Sequence, residues 1–440
     1  MNSEGVEYLQ SRLMFGMCPG LETTERLCAA LGNPERSFRA VHVVGTNGKG
    51  SCSYYLAGVL QAHGIRTGLY TSPHLISLRE RIRVNDVPAA DADLDRLFLQ
   101  VKAAAEKIQV EPTFFEVVTV AAFLYYKEQN VQVAVLEAGM GGRLDSTAVA
   151  RGDIAVVTSI GLEHTEVLGA TESAILREKM GVLGTADGAD GTVHGKTFVL
   201  GGLSAGLLQE AKRYCEQTGA GYTVPAIRED IELPNLGRHY VENASLSLAA
   251  AQLILDGSAV GKNATAGGNA PSGKYSDARA LECLRGRSWP GRMQLLREPQ
   301  GQLRFILDGT HNSHAARRLA ETLEQYFPGE KFPCVFGALK DKDVEEMLRF
   351  LAPYVSEWFL VRTPYPRFRE PEEIADILTA MGQKVAFTGP LSRSVLDKVK
   401  RPALVTGSLY MIGEVIDLLK NDFDGLAFFR GLSKATNEHR

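Results

Sequence analysis

Residues 45–51 have the composition of a loop that binds phosphate. The segment reads Gly-Thr-Asn-Gly-Lys-Gly-Ser and follows the apolar run AVHVV of residues 40–44. Glycines let successive backbone N–H groups and the start of a following helix face an anion, and Lys49 adds a positive charge. Gly50 separates Lys49 from Ser51, so the spacing departs from the common G-x-x-x-x-G-K-[ST] loop. The segment predicts nucleotide binding, with Ser51 near the accompanying magnesium ion; the alternative is a glycine-rich turn without a ligand.

Two further candidate magnesium ligands stand after apolar runs. Glu137 ends the run 132–137 and is followed by three glycines within residues 139–142. The carboxyl end of a buried parallel strand is where α/β sheets bind ligands. His164 lies shortly after the run 153–158, where an imidazole can complete an oxygen-rich site. The alternatives are a carboxylate that caps a neighbouring loop and a histidine with a structural role.

The elements that must position these residues alternate along the chain. Apolar runs without polar alternation are typical of strands covered on both faces, and helical patterns separate them. This βαβ rhythm predicts an α/β fold with a mostly parallel sheet. The predicted strands are 40–44, 67–71, 132–137 and 153–158, and the predicted helices are 91–108, 113–129 and 171–183.

The same rhythm restarts after Trp289-Pro290-Gly291-Arg292. It predicts a first α/β domain, which contains the phosphate loop, at residues 1–294 and a second, smaller α/β domain at residues 295–440. Residues 184–196 and 257–278 contain few large apolar side chains and predict surface loops. The later predicted strands are 303–307, 333–337, 357–361, 384–388 and 403–406, and the later helices are 311–326, 343–352, 370–381 and 409–420.

Composition narrows the class of protein. The 440 residues exceed one ordinary hydrophobic core, which predicts two or three domains. The 48 Lys and Arg against 52 Asp and Glu leave a net charge of -4, so no nucleic-acid partner is expected. The six cysteines form no C-x-x-C pair, and neither a membrane-spanning run nor a signal peptide is recognisable. We therefore expect a cytoplasmic protein without a membrane partner.

Several of these stretches together resemble the Mur ligase superfamily, and within it the folylpolyglutamate synthase/dihydrofolate synthase family. The resemblance extends from about residue 6 to about residue 423. It departs from the family pattern at Ala148, where an Asn is usual, and at Tyr240, where a Gln is usual. The stretches that carry it are 45–51, 71–75 (TSPHL), 135–145 (VLEAGMGGRLD), His164, Arg292 and 307–312 (LDGTHN).

The resemblance implies an ATP-dependent ligase of folate biosynthesis. It also implies a P-loop-containing, mostly parallel ATPase domain that binds ATP and the pterin at residues 1–294, and a smaller Rossmann-like glutamate-ligase domain at residues 295–440. ATP would phosphorylate the carboxylate of a folate or dihydropteroate, and the amino group of L-glutamate would displace the phosphate. A monomer is expected, because one chain supplies both halves of the site. The alternatives are another Mur-type amino acid ligase and a nucleotide-driven ATPase switch without ligase activity.

The resemblance also assigns roles to individual residues. Lys49, Glu137, His164 and Lys179 would be catalytic, and Ser51, Ser72, Glu137 and His164 would hold magnesium. The family carbamylates a lysine that matches Lys179; a helix lysine paired with an acid is the alternative. ATP would contact Thr46, Asn47, Gly48, Lys49, Gly50, Ser51, Asn243, Arg292, Asp308 and His311. The other substrates would contact Ser72, Pro73, His74, Arg81, Phe115, Glu116 and Ser408.

Overall fold

A computed structural model describes residues 3–16, 20–184, 193, 195–257 and 274–432. Most of the two surface loops predicted at 184–196 and 257–278 lies outside these residues, and the end of the second overlaps a helix that begins at Asp277. In the described part of the chain, no helix is long and apolar enough to cross a membrane.

The chain divides into two compact units. The first comprises Met1–Pro73, Arg79–Glu232 and Tyr240–Arg287. The second comprises His74–Leu78, Leu233–His239 and Ser288–Arg440. The assignment of functional domains to residues 1–294 and 295–440 stays a prediction.

The described residues form both helices and strands throughout. The helices are α1 (Glu4–Ser11), α2 (Glu22–Ala30), α3 (Lys49–Ala62), α4 (Asp91–Ile108), α5 (Phe114–Glu128), α6 (Thr165–Leu168), α7 (Glu172–Met180), α8 (Ala205–Thr218), α9 (Arg238–Leu255), α10 (Asp277–Arg285), α11 (Ser313–Tyr326), α12 (Val344–Leu351), α13 (Pro371–Ala380), α14 (Arg393–Lys398) and α15 (Leu409–Leu419). The strands are β1 (Arg39–Val44), β2 (Thr67–Tyr70), β3 (Ile82–Val84), β4 (Val87–Pro88), β5 (Val133–Glu137), β6 (Ile154–Val157), β7 (Thr197–Leu200), β8 (Gly221–Thr223), β9 (Gln294–Arg297), β10 (Leu303–Asp308), β11 (Phe332–Phe336), β12 (Val355–Arg362), β13 (Val385–Pro390) and β14 (Ala403–Thr406).

The first unit contains an eight-stranded sheet in the order β4-β3-β2-β5-β1-β6-β7-β8. Strand β1 pairs in parallel with β5 on one side and with β6 on the other. Every residue of β5 and β6 is buried, which explains their continuous apolar sequences. Because the three central strands are parallel, the residues that follow them meet at one edge of the sheet.

The second unit contains a six-stranded sheet in the order β13-β12-β11-β14-β10-β9. All its pairings are parallel except that of β9 with β10. The predicted α/β class with two mostly parallel sheets is therefore confirmed. The predicted helices and strands are also confirmed, with boundaries that shift by a few residues at most.

A short segment of the second unit comes from far away in the sequence. Residues His74–Leu78, between β2 and β3, belong to this unit. Ile76 is completely buried and shares a hydrophobic cluster with Phe305, Met411 and other apolar side chains of the second sheet and its helices. Burial of Leu75 and Ile76 therefore helps to stabilise the second unit.

Candidate active site

The predicted phosphate loop joins β1 to α3, as its sequence indicates. Helix α3 begins at Lys49, directly after Gly48 in the left-handed conformation with φ 87°. A Cβ at Gly48 would lie 2.6 Å from Asn243 Oδ1, so both conformation and space require glycine. The predicted nucleotide residue Asn243, which is buried in α9, therefore lies against this loop.

Lys49 bonds to the backbone of its own loop. Its ammonium group donates to the carbonyl oxygens of Gly45 at 2.7 Å and Thr46 at 3.1 Å. The side chain thus curls back over the loop instead of extending into solvent, and its positive charge stays beside the start of α3. Ser51, two residues into this helix, is buried.

Glu137 ends β5 and is buried beside the segment that follows β2. Its Oε2 accepts a hydrogen bond from the backbone N–H of Ser72 at 3.0 Å. The structure therefore brings together two of the predicted metal ligands, Glu137 and Ser72. Pro73, the next residue, is exposed.

The glycine-rich turn after Glu137 is organised by Asp145. This buried carboxylate accepts hydrogen bonds from the backbone N–H groups of Gly139 and Met140 and from the backbone and hydroxyl groups of Thr147. Burial raises the pKa of Asp145, although these four donors oppose the shift. Ala148, where the family pattern has Asn, is a buried residue of the same turn.

Lys179 is buried at the end of α7 and lies against the phosphate loop. Its ammonium group donates to Gly45 O at 2.9 Å and to Glu163 Oε1 at 2.6 Å. Burial, together with the charge of Lys49, lowers the pKa of Lys179 to about 8, while Glu163 opposes the shift. Burial would raise the pKa of Glu163, but the two lysines outweigh it and lower that pKa to about 2. The neutral form of Lys179 is therefore more populated near physiological pH than the neutral form of an ordinary lysine.

His164 follows Glu163 and is exposed at the start of α6. Its φ of 46° is a left-handed conformation, which is uncommon for a residue other than glycine. Its role as a magnesium ligand stays a prediction.

Three of the residues predicted to contact the other substrates, Arg81, Phe115 and Glu116, lie near or at the start of α5. The guanidinium carbon of Arg81 lies 5.2 Å from the ring centre of Phe114, and Phe115 packs against Tyr70 with ring centres 6.0 Å apart. Glu116 Oε2 accepts hydrogen bonds from the backbone and hydroxyl groups of Thr113 in a capping box. The structure thus gives Glu116 a role in starting the helix, and its predicted contact with substrate stays a prediction.

The second unit brings together another predicted set at the carboxyl end of β10. Asp308 accepts from Met293 N at 2.9 Å and from Thr310 N at 2.9 Å. Arg292 Nη1 and His311 Nδ1 both bond to Gly309 O, at 3.1 Å and 2.8 Å. Asp308, Arg292 and His311 therefore form one cluster, as their predicted nucleotide contacts require.

Three other residues that were singled out in the sequence are buried in the described part of the chain. Ser408 directly precedes α15, and its hydroxyl has no hydrogen-bond partner among the described residues. His74 lies in the short segment His74–Leu78 of the second unit. Tyr240, which replaces the usual Gln, is buried in α9.

Sequence reasoning missed part of the first-unit site. No role was predicted for Glu163, which forms an ion pair with Lys179. None was predicted for Thr158 and Ser159, which contact the phosphate loop. An acid directly before His164 and two hydroxyl residues directly after β6 were the available signals. Hydroxyl residues are common after strands, so this pattern alone does not identify a site.

Comparisons with known proteins agree with this arrangement. Residues 43–187 match the Mur ligase middle domain, and residues 291–401 match the Mur ligase glutamate ligase domain. The dihydrofolate synthase/folylpolyglutamate synthase of Bacillus subtilis is 32% identical, over 94% of this chain and 98% of its own length. The Escherichia coli enzyme of the same name is 29% identical, over 91% of each chain.

Solved structures give the same result. Escherichia coli FolC in complex with DHPP and ADP has a TM-score of 0.78 and 26% identity, covering 94% of this chain and 96% of its own. A bifunctional folylpolyglutamate synthase/dihydrofolate synthase with Mn, AMPPNP and L-glutamate bound has a TM-score of 0.77 and 27% identity, covering 95% and 98%.

The fold and the site together define a Mur-type ligase, an enzyme that forms carbon–nitrogen bonds. Within that class, the chain belongs to the dihydrofolate synthase/folylpolyglutamate synthase family. The family resemblance predicted from the sequence is confirmed.

Proposed function

We propose that this ligase uses ATP to activate the carboxylate of a folate or dihydropteroate and joins it to the amino group of L-glutamate. One observation carries the proposal. A phosphate loop, a buried carboxylate and a buried lysine–glutamate pair meet at one edge of the first sheet, in a chain similar over nearly its whole length to enzymes with these activities. The complexes of related enzymes with ADP and DHPP, and with L-glutamate, support the same substrates.

The phosphate loop would hold the β- and γ-phosphates of ATP. The proposed contacts come from residues 46–51, and the start of α3 adds its partial positive charge. Lys49 would exchange its bonds with the loop carbonyls for bonds with a phosphate oxygen, because an ammonium group binds an anion more strongly than a neutral carbonyl. This would concentrate positive charge where negative charge develops during phosphoryl transfer.

The residues around Glu137 fit a magnesium ion. The carboxylate is buried, and Ser72 is next to it; Ser51, at the start of α3, would add the hard hydroxyl oxygen that the family resemblance implies. Among the described residues, no three His, Cys, Asp or Glu side chains form a metal-binding group. Magnesium commonly binds through one or two carboxylates together with waters and substrate phosphates, so Glu137, Ser72, Ser51 and His164 suffice. When bound, the ion would neutralise charge on the phosphates and the acyl group.

The proposed reaction has two steps. A carboxylate oxygen of the pterin substrate attacks the γ-phosphorus, the bond to the β-phosphate oxygen breaks, and ADP leaves. The neutral amine of L-glutamate then attacks the acyl carbon, phosphate leaves with its electron pair, and the nitrogen loses a proton to give the amide. Both steps are accelerated by positioning of the reactants and by neutralisation of the phosphate charge.

The remaining predicted residues would complete the binding of substrates. Asn243 lies against the phosphate loop, and Arg292, Asp308 and His311 form the cluster after β10, so we assign all four to the nucleotide. The buried hydroxyl of Ser408 has no hydrogen-bond partner among the described residues. Because buried polar groups are normally hydrogen-bonded, a polar group of a ligand would be a suitable partner for it. We assign Ser408 and His74 to the other substrates, together with Pro73, Arg81, Phe115 and Glu116.

Lys179 fits the carbamate that the family resemblance implies. Carbamylation requires a neutral amine, and with a pKa of about 8 about a quarter of the lysine is neutral near pH 7.5. A carbamate would place negative charge beside Lys49 and the phosphate loop, where it could bind a second cation. The pairing with Glu163 is the alternative that the sequence left open.

We further propose that the enzyme acts as a monomer in the cytoplasm. Both predicted sets of nucleotide contacts come from a single chain, and the described residues include no helix that could cross a membrane. Size-exclusion chromatography with light scattering, in the presence of ATP and magnesium, tests the oligomeric state. A dimer would contradict the proposal.

The assay that tests the function measures ADP and phosphate release from ATP with magnesium. It compares reactions with L-glutamate and either dihydropteroate or tetrahydrofolate against reactions that lack one substrate. Turnover that requires both glutamate and a pterin is expected. Turnover that continues without the pterin would favour an ATPase switch, and turnover only with other acids or amino acids would favour another Mur-type ligase.

A further inference from the structure

A loop that binds phosphate must turn its carbonyl oxygens away from the anion. If a carbonyl of residues 45–47 faced the phosphates, its partial negative charge would repel them, and the neighbouring N–H groups would point elsewhere. The conformation of the loop therefore depends on hydrogen-bond donors that hold these carbonyls in place.

Donors for all three carbonyls are present. The carbonyls of Gly45 and Thr46 accept from Lys49, and Gly45 also accepts from Lys179. The carbonyl of Asn47 accepts from two hydroxyl groups, Thr158 at 2.7 Å and Ser159 at 3.0 Å. Both lysines were predicted from the sequence to be functional, whereas Thr158 and Ser159 were not.

The contacts of these two residues extend along the loop. Ser159 Oγ accepts from the N–H of Asn47 at 3.1 Å, and its carbonyl accepts from the N–H of Thr46 at 2.7 Å. Thr158 is 2% exposed, and a Cβ at Gly45 would lie only 2.0 Å from its hydroxyl oxygen. Thr158 and Ser159, which directly follow β6, therefore pack against residues 45–47 and hold their backbone in place.

We propose that Thr158 and Ser159 are positioning residues for nucleotide binding: their hydroxyl groups hold the Asn47 carbonyl away from the phosphates, so that the loop is preorganised before ATP binds. This inference rests on the proposed nucleotide site. It adds two residues that act through the loop and do not contact the substrate. Preorganisation raises affinity because less ordering is required on binding.

The backbone contacts limit the effect of removing one hydroxyl. Thr158 N bonds to Val44 O, and Thr46 N bonds to Ser159 O, and neither contact involves a side chain. Because Asn47 O accepts from both hydroxyls, each single variant retains one donor. The double variant should therefore lose more affinity than the two single variants together.

The test measures ADP binding in the presence of magnesium by isothermal titration calorimetry. The variants are Thr158→Val, Ser159→Ala and the double variant, with Thr158→Ser as the conservative change that keeps the hydroxyl. Thr24→Val is a matched control, because Thr24 is fully buried and its hydroxyl has no hydrogen-bond partner among the described residues. Melting temperature and the KM values for ATP and the pterin are measured in parallel.

We expect the double variant to bind ADP about 10-fold more weakly or worse, with a raised KM for ATP and an unchanged KM for the pterin. Thr158→Ser and Thr24→Val should bind ADP like the wild type. Unchanged ADP affinity together with a lowered melting temperature would overturn the inference, because it would show a purely structural role. A wild-type protein that binds no ADP would instead contradict the proposed function itself.

Discussion

The ammonium nitrogen of Lys179 lies 2.6 Å from Glu163 Oε1, and the lysine side chain is only 1% exposed. The buried Lys179 also donates to the carbonyl of Gly45, the first residue of the phosphate loop, while the partly buried Glu163 supplies the opposite charge. Burying such a pair is costly unless its groups are well hydrogen-bonded, and removing one partner leaves the other uncompensated. The conformation of the phosphate loop therefore depends on whether Lys179 is charged.

Replacement of Lys179 by Ala should lower kcat about 100-fold, because the negative charge of a carbamate would be lost from the site. Short carboxylates such as acetate or formate should restore part of this activity by supplying the missing oxygens. The measurement is the rate of phosphate release as a function of added carboxylate.

Lys179→Arg provides the matched control for this experiment. Arginine retains positive charge and forms no carbamate under these conditions, so its activity should be low and should not respond to carboxylates. Carbon NMR of the wild type in isotopically labelled bicarbonate should show a carbamate signal. Normal activity of Lys179→Ala would show that the lysine only pairs with Glu163.

Lys49→Ala should lower kcat about 100-fold or more, equivalent to about 3 kcal/mol of transition-state stabilisation. The physical reason is the loss of the positive charge that we expect at the transferred phosphate. Lys102→Ala is a suitable control, because that lysine forms a surface ion pair with Glu4. Near-wild-type turnover of Lys49→Ala would contradict the phosphate-loop assignment.

Glu137→Gln should raise the magnesium concentration required for half-maximal rate by about 10-fold or more. The amide has the shape of the carboxylate but binds a hard cation less strongly. Glu35→Gln makes the same chemical change at another buried carboxylate of the first unit, which pairs with Arg36 and has no proposed role in binding, so its magnesium requirement should stay unchanged. A magnesium titration of Glu137→Gln that matches the wild type would refute the metal assignment.

Ile76→Ala should lower the stability of the second unit by about 3 kcal/mol, because it leaves a cavity in a buried cluster. Both tryptophans of the chain, Trp289 and Trp358, belong to this unit, so their fluorescence during denaturant unfolding reports on it directly. Val87→Ala, at a mostly exposed position, should have little effect. An unchanged unfolding midpoint in Ile76→Ala would contradict the assignment of the segment to this core.

Most of the fold could be predicted from the sequence. The strands β1, β5 and β6 are buried on both faces, so their sequences are mostly apolar, with His42 as the one polar residue inside a run, and this pattern is easily recognised. Glu137 ends β5, and the loops after these strands carry the glycines and His164. Their convergence follows from the parallel arrangement of the strands.

Other features depend on contacts between residues distant in sequence. The burial of Ile76 in the second unit could not be predicted, because the few apolar residues of the short segment His74–Leu78 are too short a run to show a periodicity. The pairing of Glu163 with Lys179 was equally hidden, since the two are 16 positions apart and lie on different elements. Asp145 stood in a recognised motif, yet its hydrogen bonds to the preceding Gly139 and Met140 and to the following Thr147 became visible only in the structure.

The most direct test of the proposed mechanism follows an oxygen atom. The carboxylate of the pterin substrate is labelled with a heavy oxygen isotope, and the released phosphate and nucleotide are analysed by mass spectrometry after one turnover with L-glutamate. Activation as an acyl phosphate predicts one labelled oxygen in the phosphate and none in ADP, because the carboxylate oxygen that attacks the γ-phosphorus leaves with it. Unlabelled phosphate, or label in AMP, would contradict the mechanism.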